Sequence, residues 1–195
     1  MPLSLPSFTD LRVNYPATSS ELVKATIGGA VNVAYITNTC VVRMSKAFNY
    51  LGINNKTFTL NTPSWKYSTK QDLLVQEKAK VHAIPKRYPY TKKFETIAGA
   101  DHKHYCFRVS EFFDYLSHKY KKPDLKVEKA VRDKFIPVTQ LRAFQDKISG
   151  VSGIICFKTQ FSDATGHFTL WDGKKCLYQD YFLDPRTSGI YLWIC

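Results

Sequence analysis

The sequence predicts an α+β fold with N-terminal helices packed on a C-terminal antiparallel sheet. Three observations predict it. Val41, Met44, Ala47, Phe48 and Leu51 recur at spacings that share one face of a helix. Val109, Phe112, Phe113, Leu116 and Tyr120 repeat that pattern further along. After Gly150 the period changes to short apolar runs divided by turn-like segments, which is how strands read. Helices first and strands last is an α+β order.

The elements follow in sequence. Ser19-Ser20-Glu21-Leu22-Val23 reads as a helix start, with a serine cap and an acid in the first turn, and Gly28-Gly29 limits its length. Val31 to Ile36 connects to the 41–51 helix, for which Asn38 or Thr39 can cap the start and Gly52 stops the end. From Asn54 to Tyr105 the chain is rich in Lys, Thr, Pro and Tyr with weak periodicity, which predicts loops and short elements. The 108–120 helix is closed by Pro123, and a shorter helix is expected around Thr139 to Ile148. Strands are expected at Gly153–Phe157, Gly166–Trp171, Cys176–Phe182 and Gly189–Ile194, with turns at 172–175 and 184–186. A chain of 195 residues with 44% hydrophobic content supports one buried core, so residues 1–195 are expected to form a single domain.

Composition narrows the class. No stretch approaches the roughly 20 apolar residues that span a bilayer, so no membrane insertion is expected. Met1 to Pro6 lacks a charged region followed by an apolar run, so no signal peptide is expected either. The 28 basic against 16 acidic residues give a net charge of +12, which attracts polyanions: nucleic acid, anionic lipid or a bacterial wall. Cys40, Cys106, Cys156, Cys176 and Cys195 contain no CxxC pair, which removes support for a zinc ribbon or thioredoxin-type motif. In an oxidising compartment the last four of these have room for up to two disulfides with Cys40 free, in a connectivity that sequence leaves open.

The chemistry rests on three residues. Cys40 falls in the first turn of its helix, where unpaired N–H groups and the positive end of the helix dipole favour thiolate over thiol. His167, Thr169 and Trp171 share one face of a strand, which lets an imidazole meet a helix terminus packed on the sheet. If residues 172–175 form the hairpin loop, Trp171 pairs with Cys176 and Asp180 lies opposite His167. If Asp172-Gly173 alone forms it, Tyr178 faces His167 and Asp180 becomes the diagonal neighbour. Either register leaves Asp180 in reach to orient the base, whereas the rival acids Asp172 and Asp163 fall in the turn and the preceding loop. Cys40, His167 and Asp180 are thus the expected nucleophile, base and orienter of a cysteine hydrolase. The backbone N–H of Cys40 is the expected oxyanion donor, with one further donor unidentified. Each residue also has a bland explanation, as a small core cysteine or a His–Asp pair that only supports the sheet.

Two other motifs are weaker. His102-Lys103-His104-Tyr105-Cys106 matches no common zinc spacing, so a solvated loop is expected and no metal or cofactor. Lys78 to Phe94, with Lys86, Arg87, Tyr88, Tyr90, Lys92 and Lys93, has the composition of a nucleic-acid surface but no recognition motif, so a solvated face is expected.

Asn38-Thr39-Cys40-Val41-Val42-Arg43-Met44-Ser45, Gly166-His167-Phe168-Thr169-Leu170-Trp171-Asp172-Gly173 and Tyr191-Leu192-Trp193 together resemble the fourth family of type VI secretion amidase effectors. These are NlpC/P60-like enzymes of the papain superfamily. The resemblance implies a papain-like fold and cleavage of peptidoglycan stem peptides at the γ-D-glutamyl to meso-diaminopimelate bond. It further implies synthesis in a bacterial cytoplasm, contact with a component of the secretion machine, injection into a rival cell's periplasm and a cognate immunity protein. By position Cys40 matches the family nucleophile and His167 its base. Asp180 matches the acid by placement rather than by a shared motif. Residues 57–105 align least.

Competing readings are a housekeeping wall hydrolase or acyltransferase of the same fold, an inactive scaffold, and a basic nucleic-acid-binding protein. The last is disfavoured because no recognition motif accompanies the charge.

Overall fold

A computed structural model describes residues 2–52, 70–133 and 135–195, so the loop expected from Asn54 lies in part outside the described residues. The chain divides into two compact units, one of residues 9–107 and one of residues 1–8 with 108–195.

The first unit is built around a helix that its own sequence makes amphipathic. After a short helix α1 (Phe8–Val13), helix α2 (Ser20–Ile27) starts on Ser19, whose side chain accepts from the Leu22 N–H, and stops at Gly28 with φ 66°. A single 3-10 turn (Gly29–Val31) leads on to α3 (Cys40–Asn49), and Gly52 follows with φ 70°. Val23, Ile27, Val31, Ile36, Val42 and Tyr105 form one apolar cluster of this unit. All ten residues of α3 are buried, including Arg43, Ser45, Lys46 and Asn49. Buried polar groups demand partners. Arg43 Nη1 donates to the carbonyls of Pro16 and Thr18, both at 2.7 Å. Asn49 donates to the His104 carbonyl at 2.9 Å and accepts from the Ile84 N–H at 2.8 Å. The helix is therefore anchored by Val42 in that cluster and tied through its polar residues to three separate backbone segments.

The expectation of loops and short elements before Tyr105 needs correction. Helix α4 (Lys70–His82) runs for 13 residues there. Its apolar residues do not line one face, and Leu74 and Val81 are more than half exposed, which is why no helical period is visible. A hairpin of β1 (Thr96–Ala98) and β2 (His104–Cys106) follows, with Ile97 opposite Tyr105. Residues 102–106 are thus not a solvated loop: Tyr105 and Cys106 are fully buried. The basic segment between α4 and β1 is a turn-rich loop that exposes Lys86, Arg87, Lys92 and Lys93. Thr96 Oγ1 holds its ends together by donating to the Lys86 carbonyl at 2.9 Å.

The second unit carries α5 (Val109–Lys119), β3 (Leu125–Glu128), α6 (Val138–Ile148), β4 (Gly153–Thr159), β5 (His167–Trp171) and β6 (Thr187–Ile194). The strands form one antiparallel sheet in the order β3-β6-β4-β5. The expected α+β architecture is what the chain adopts. Strand β3 was too short, at four residues, to be legible. The strand expected over Cys176–Phe182 does not form beyond an isolated bridge between Trp171 and Cys176.

Both faces of the sheet are covered within this unit, as the near-continuous apolar runs require. On one, Ile155, Phe157, Trp171, Ile190 and Leu192 pack with Leu141, Phe144 and Ile148 of α6 and with Phe182. Trp171 Nε1 donates to the Ile148 carbonyl at 3.0 Å, capping the end of α6. On the other, Phe112 of α5 meets Phe168 edge-on at 5.1 Å, and Phe113 meets Tyr191 and Trp193 at 5.0 and 5.1 Å.

Candidate active site

Cys40 opens α3 and is 2% exposed. Thr39 stands at the cap position, but its hydroxyl bonds the Ser20 hydroxyl at 3.0 Å and makes no cap bond. Asn38 supplies the cap instead: its Oδ1 accepts the Cys40 N–H at 3.0 Å. The thiol thus sits at the positive end of a ten-residue dipole with no acid in the first turn, an environment that favours thiolate. The same bond occupies the expected oxyanion donor.

His167 begins β5 and is 2% exposed, paired in register with Phe157. The Tyr181 ring meets the imidazole edge-on at 5.0 Å. Its Nε2 lies 3.3 Å from the carbonyl oxygen of Tyr178. A carbonyl only accepts, so Nε2 is the donor in this bond. The neighbourhood holds that carbonyl in place. Residues 172–175 form the hairpin loop, closed by Asp172 N–H to the Lys175 carbonyl at 3.1 Å, with Asp172 Oδ1 accepting the N–H groups of Lys174 and Lys175 at 2.8 Å. Of the two registers, the structure takes the four-residue loop, with Trp171 opposite Cys176.

The ladder then ends early. Leu177 N–H still reaches the Leu170 carbonyl at 2.8 Å, but the next N–H, of Tyr178, turns to the Thr169 hydroxyl at 3.2 Å. Gln179 follows at φ 40°, in the left-handed region that bends a chain away from a strand. Asp180 is consequently exposed on an irregular segment and not on a strand opposite His167. Its charge reaches Cys176, where with Asp172 it adds to the burial that pushes that thiol well up. Asp172 is occupied in the turn, and Asp163 stays in the exposed loop before β5.

The residues that sequence reasoning missed are the Tyr178 carbonyl, as partner of the imidazole, and the Thr169 hydroxyl that positions it. A backbone acceptor leaves no trace in residue type. Thr169 did share the predicted His167 face, but its partner lies beyond the point where the strand breaks. Gly166, just before His167, has a visible reason: a Cβ there would lie 2.5 Å from the Phe157 carbonyl oxygen.

None of the five cysteines forms a disulfide. Burial pushes Cys195 up to about 12, which makes it unreactive near neutrality. Among the described residues no group of three or more His, Cys, Asp or Glu side chains is arranged to hold a metal ion. No helix among them is long and apolar enough to cross a membrane.

Comparison with known proteins bears on the whole chain. No curated protein sequence matches it. The effector Tae4 of Salmonella typhimurium, solved with the immunity protein Tai4 of Enterobacter cloacae, is 28% identical with a TM-score of 0.66, over 97% of this chain and 99% of that one. The Salmonella Typhimurium Tae4–Tai4 complex gives 29% identity and 0.66 over 98% and 99%. Tae4 from Enterobacter cloacae gives 25% and 0.65 over 100% and 99%. Residues 36–193 match the family model described as type VI secretion system amidase effector protein 4, Tae4. The resemblance carried by the segments around Cys40 and His167 is borne out, and the chain belongs to the Tae4 family of type VI secretion amidase effectors.

Proposed function

We propose that this chain hydrolyses peptidoglycan stem peptides by cysteine chemistry, at the γ-D-glutamyl to meso-diaminopimelate bond. Cys40 is the nucleophile and His167 its base, while Asp180, off the strand and exposed, assists the imidazolium through its charge and not through a ring nitrogen. The observation that carries the reading is the His167–Tyr178 bond, which commits Nε2 as a donor and leaves Nδ1 to take the thiol proton. Thiolate Cys40 attacks the amide carbonyl and forms a thioester, while imidazolium His167 protonates the leaving amine. Neutral His167 then activates water, which releases the acid and restores the thiol. The developing oxyanion takes the Cys40 N–H from Asn38 Oδ1. Residues 1–195 act together as one catalytic domain.

Family membership and the immunity proteins bound to solved relatives support the biological setting. The chain is an antibacterial toxin made in the producing cell's cytoplasm. It contacts a component of the secretion machine and is delivered to the periplasm of a rival. A cognate immunity protein neutralises it. The +12 charge draws it to carboxylate-rich wall, an attraction that salt weakens.

The test is digestion of purified sacculi by wild type, Cys40→Ala, His167→Ala and Asp180→Ala, with muropeptides separated by chromatography. Wild type should release γ-glutamyl-cleaved products, and the Cys40 and His167 variants should release none above background. Asp180→Ala should be slowed at least tenfold. Equal release by wild type and Cys40→Ala would overturn the nucleophile, and wild-type release at Asp180→Ala would remove the acid.

A further inference from the structure

The second unit holds a cavity of about 420 Å³ that the chemistry above does not use. Val109, Ser110, Phe113 and Asp114 of α5 face Cys156 and Lys158 of β4, Tyr191 of β6 and Thr165. Helix spacing puts the α5 residues on one strip, and strand alternation puts Cys156 and Lys158 on the same face. Tyr191 pairs in register with Cys156, and Gly189 stands opposite Lys158. This is the α5 face of the sheet, whereas His167 shares the other face with Phe157.

The lining separates by chemistry. Val109, Cys156 and Tyr191 are buried and Phe113 half-buried, which gives an apolar floor. Ser110, Asp114, Thr165 and Lys158 are exposed around it. Elsewhere on the surface opposite charges meet: Arg186 with Asp184, Lys126 with Glu128, Lys121 with Asp124. Asp114 and Lys158 line one cavity and yet form no ion pair, with each other or with any other described residue. Lys158 does feel the field of Glu128, but that carboxylate already accepts from Lys126 at 2.6 Å and from the Tyr191 hydroxyl at 2.5 Å.

A cavity of this volume, with an apolar floor, two hydroxyls and two opposite charges held apart, matches a small ligand that carries both charges itself. We propose that it binds an α-amino-acid zwitterion, with the ligand ammonium at Asp114, its carboxylate at Lys158 and its aliphatic stem on Phe113 and Tyr191. Two sources offer that group. One is a free amino acid; the other is the unlinked amino-acid end of a stem peptide, which rests on the proposed substrate. In the second case the cavity is an anchoring site that holds wall fragments away from the histidine face.

The test is calorimetric titration of the full chain carrying Cys40→Ala, so that no ligand is consumed. Meso-diaminopimelate should bind saturably. Pimelate, without the ammonium groups, and 1,5-diaminopentane, without the carboxylates, should bind at least tenfold more weakly. Asp114→Asn and Lys158→Gln, both at exposed positions, should each weaken meso-diaminopimelate at least tenfold, with circular dichroism unchanged. Binding of alanine supports the site with free amino acids as source, and binding of a disaccharide-tripeptide supports it with wall as source. No saturable binding of any zwitterion, or binding undiminished in both variants, overturns it. Sacculus digestion by wild type is read separately, so loss of this site leaves the hydrolase assignment standing, and failure of hydrolysis leaves the free amino-acid arm intact.

Discussion

Ser45 and Cys106 exchange two hydrogen bonds: the Ser45 hydroxyl accepts the Cys106 N–H at 3.0 Å and donates to its carbonyl at 3.2 Å. One small side chain thereby satisfies both backbone groups of a buried strand residue and ties β2 to the helix that Cys40 opens. Ser45→Ala leaves that N–H and carbonyl buried without their partner. Stability should fall by about 1–3 kcal/mol, read as a lower urea midpoint at unchanged slope. A midpoint within error of wild type would mean that other groups or water satisfy Cys106.

Lys119 gives a pH signature. Its ammonium donates to the Tyr115 hydroxyl at 2.7 Å and lies over the Tyr115 and Tyr120 rings, and burial pushes its pKa down from 10.5 to about 8. Between these values the unfolded chain holds a proton that the folded chain has released. Stability from this group therefore rises with pH through that window and is at its lowest below pH 8. Lys119→Met should be the more stable protein at pH 7, and its advantage should shrink steadily between pH 8 and 10.5. Thermal melts of both proteins across pH 6–10.5 check this, and a constant difference throughout would contradict it.

What was legible in the sequence was whatever repeats. The 41–51 and 108–120 stripes, the Ser19 cap and the runs at 153, 166 and 189 each carry a period or a terminator, and each forms its expected element. Helix α4 was hidden because its apolar residues follow no single face. Strands β1, β2 and β3 were hidden because three or four residues show no alternation. At the site, Cys40 and His167 were visible because helix start and strand face follow from local pattern. Asp180 was placed by extending a ladder two residues past its real end. Nothing local announces that Thr169 takes the Tyr178 N–H or that Gln179 adopts a left-handed backbone.

Gly166 is where packing meets the site. A Cβ would stand 2.5 Å from the Phe157 carbonyl oxygen and 3.0 Å from Val109 Cγ1, and the first of these is backbone that has no rotamer to yield. Gly166→Ala should therefore push the start of β5 away from β4, at a cost of about 1–3 kcal/mol. Because His167 is the next residue, hydrolysis should fall more than tenfold even at temperatures where the variant is fully folded. Gly150→Ala is the control: it meets nothing within 4 Å, although its φ of 77° still strains the alanine. It should lose comparable stability and keep its activity.

The tautomer of His167 leads to the sharpest prediction. Thr169 is fully buried, and its hydroxyl holds the Tyr178 N–H while the Tyr178 carbonyl takes the proton on His167 Nε2. Thr169→Val keeps the shape and removes the acceptor, so Tyr178 loses its anchor and the carbonyl its aim. That carbonyl stabilises the imidazolium more than the neutral ring, because its dipole points at the charge. Its loss should lower the pKa of His167, move the alkaline limb of the kcat/KM profile to lower pH and cut the maximum roughly tenfold, or about 1.4 kcal/mol of barrier. Thr169→Ser restores the hydroxyl and should restore both the rate and the limb. A purely structural role for Thr169 would lower the melting temperature in the valine variant and leave the alkaline limb where wild type has it. Soluble muropeptide hydrolysis measured from pH 5 to 10 separates the two.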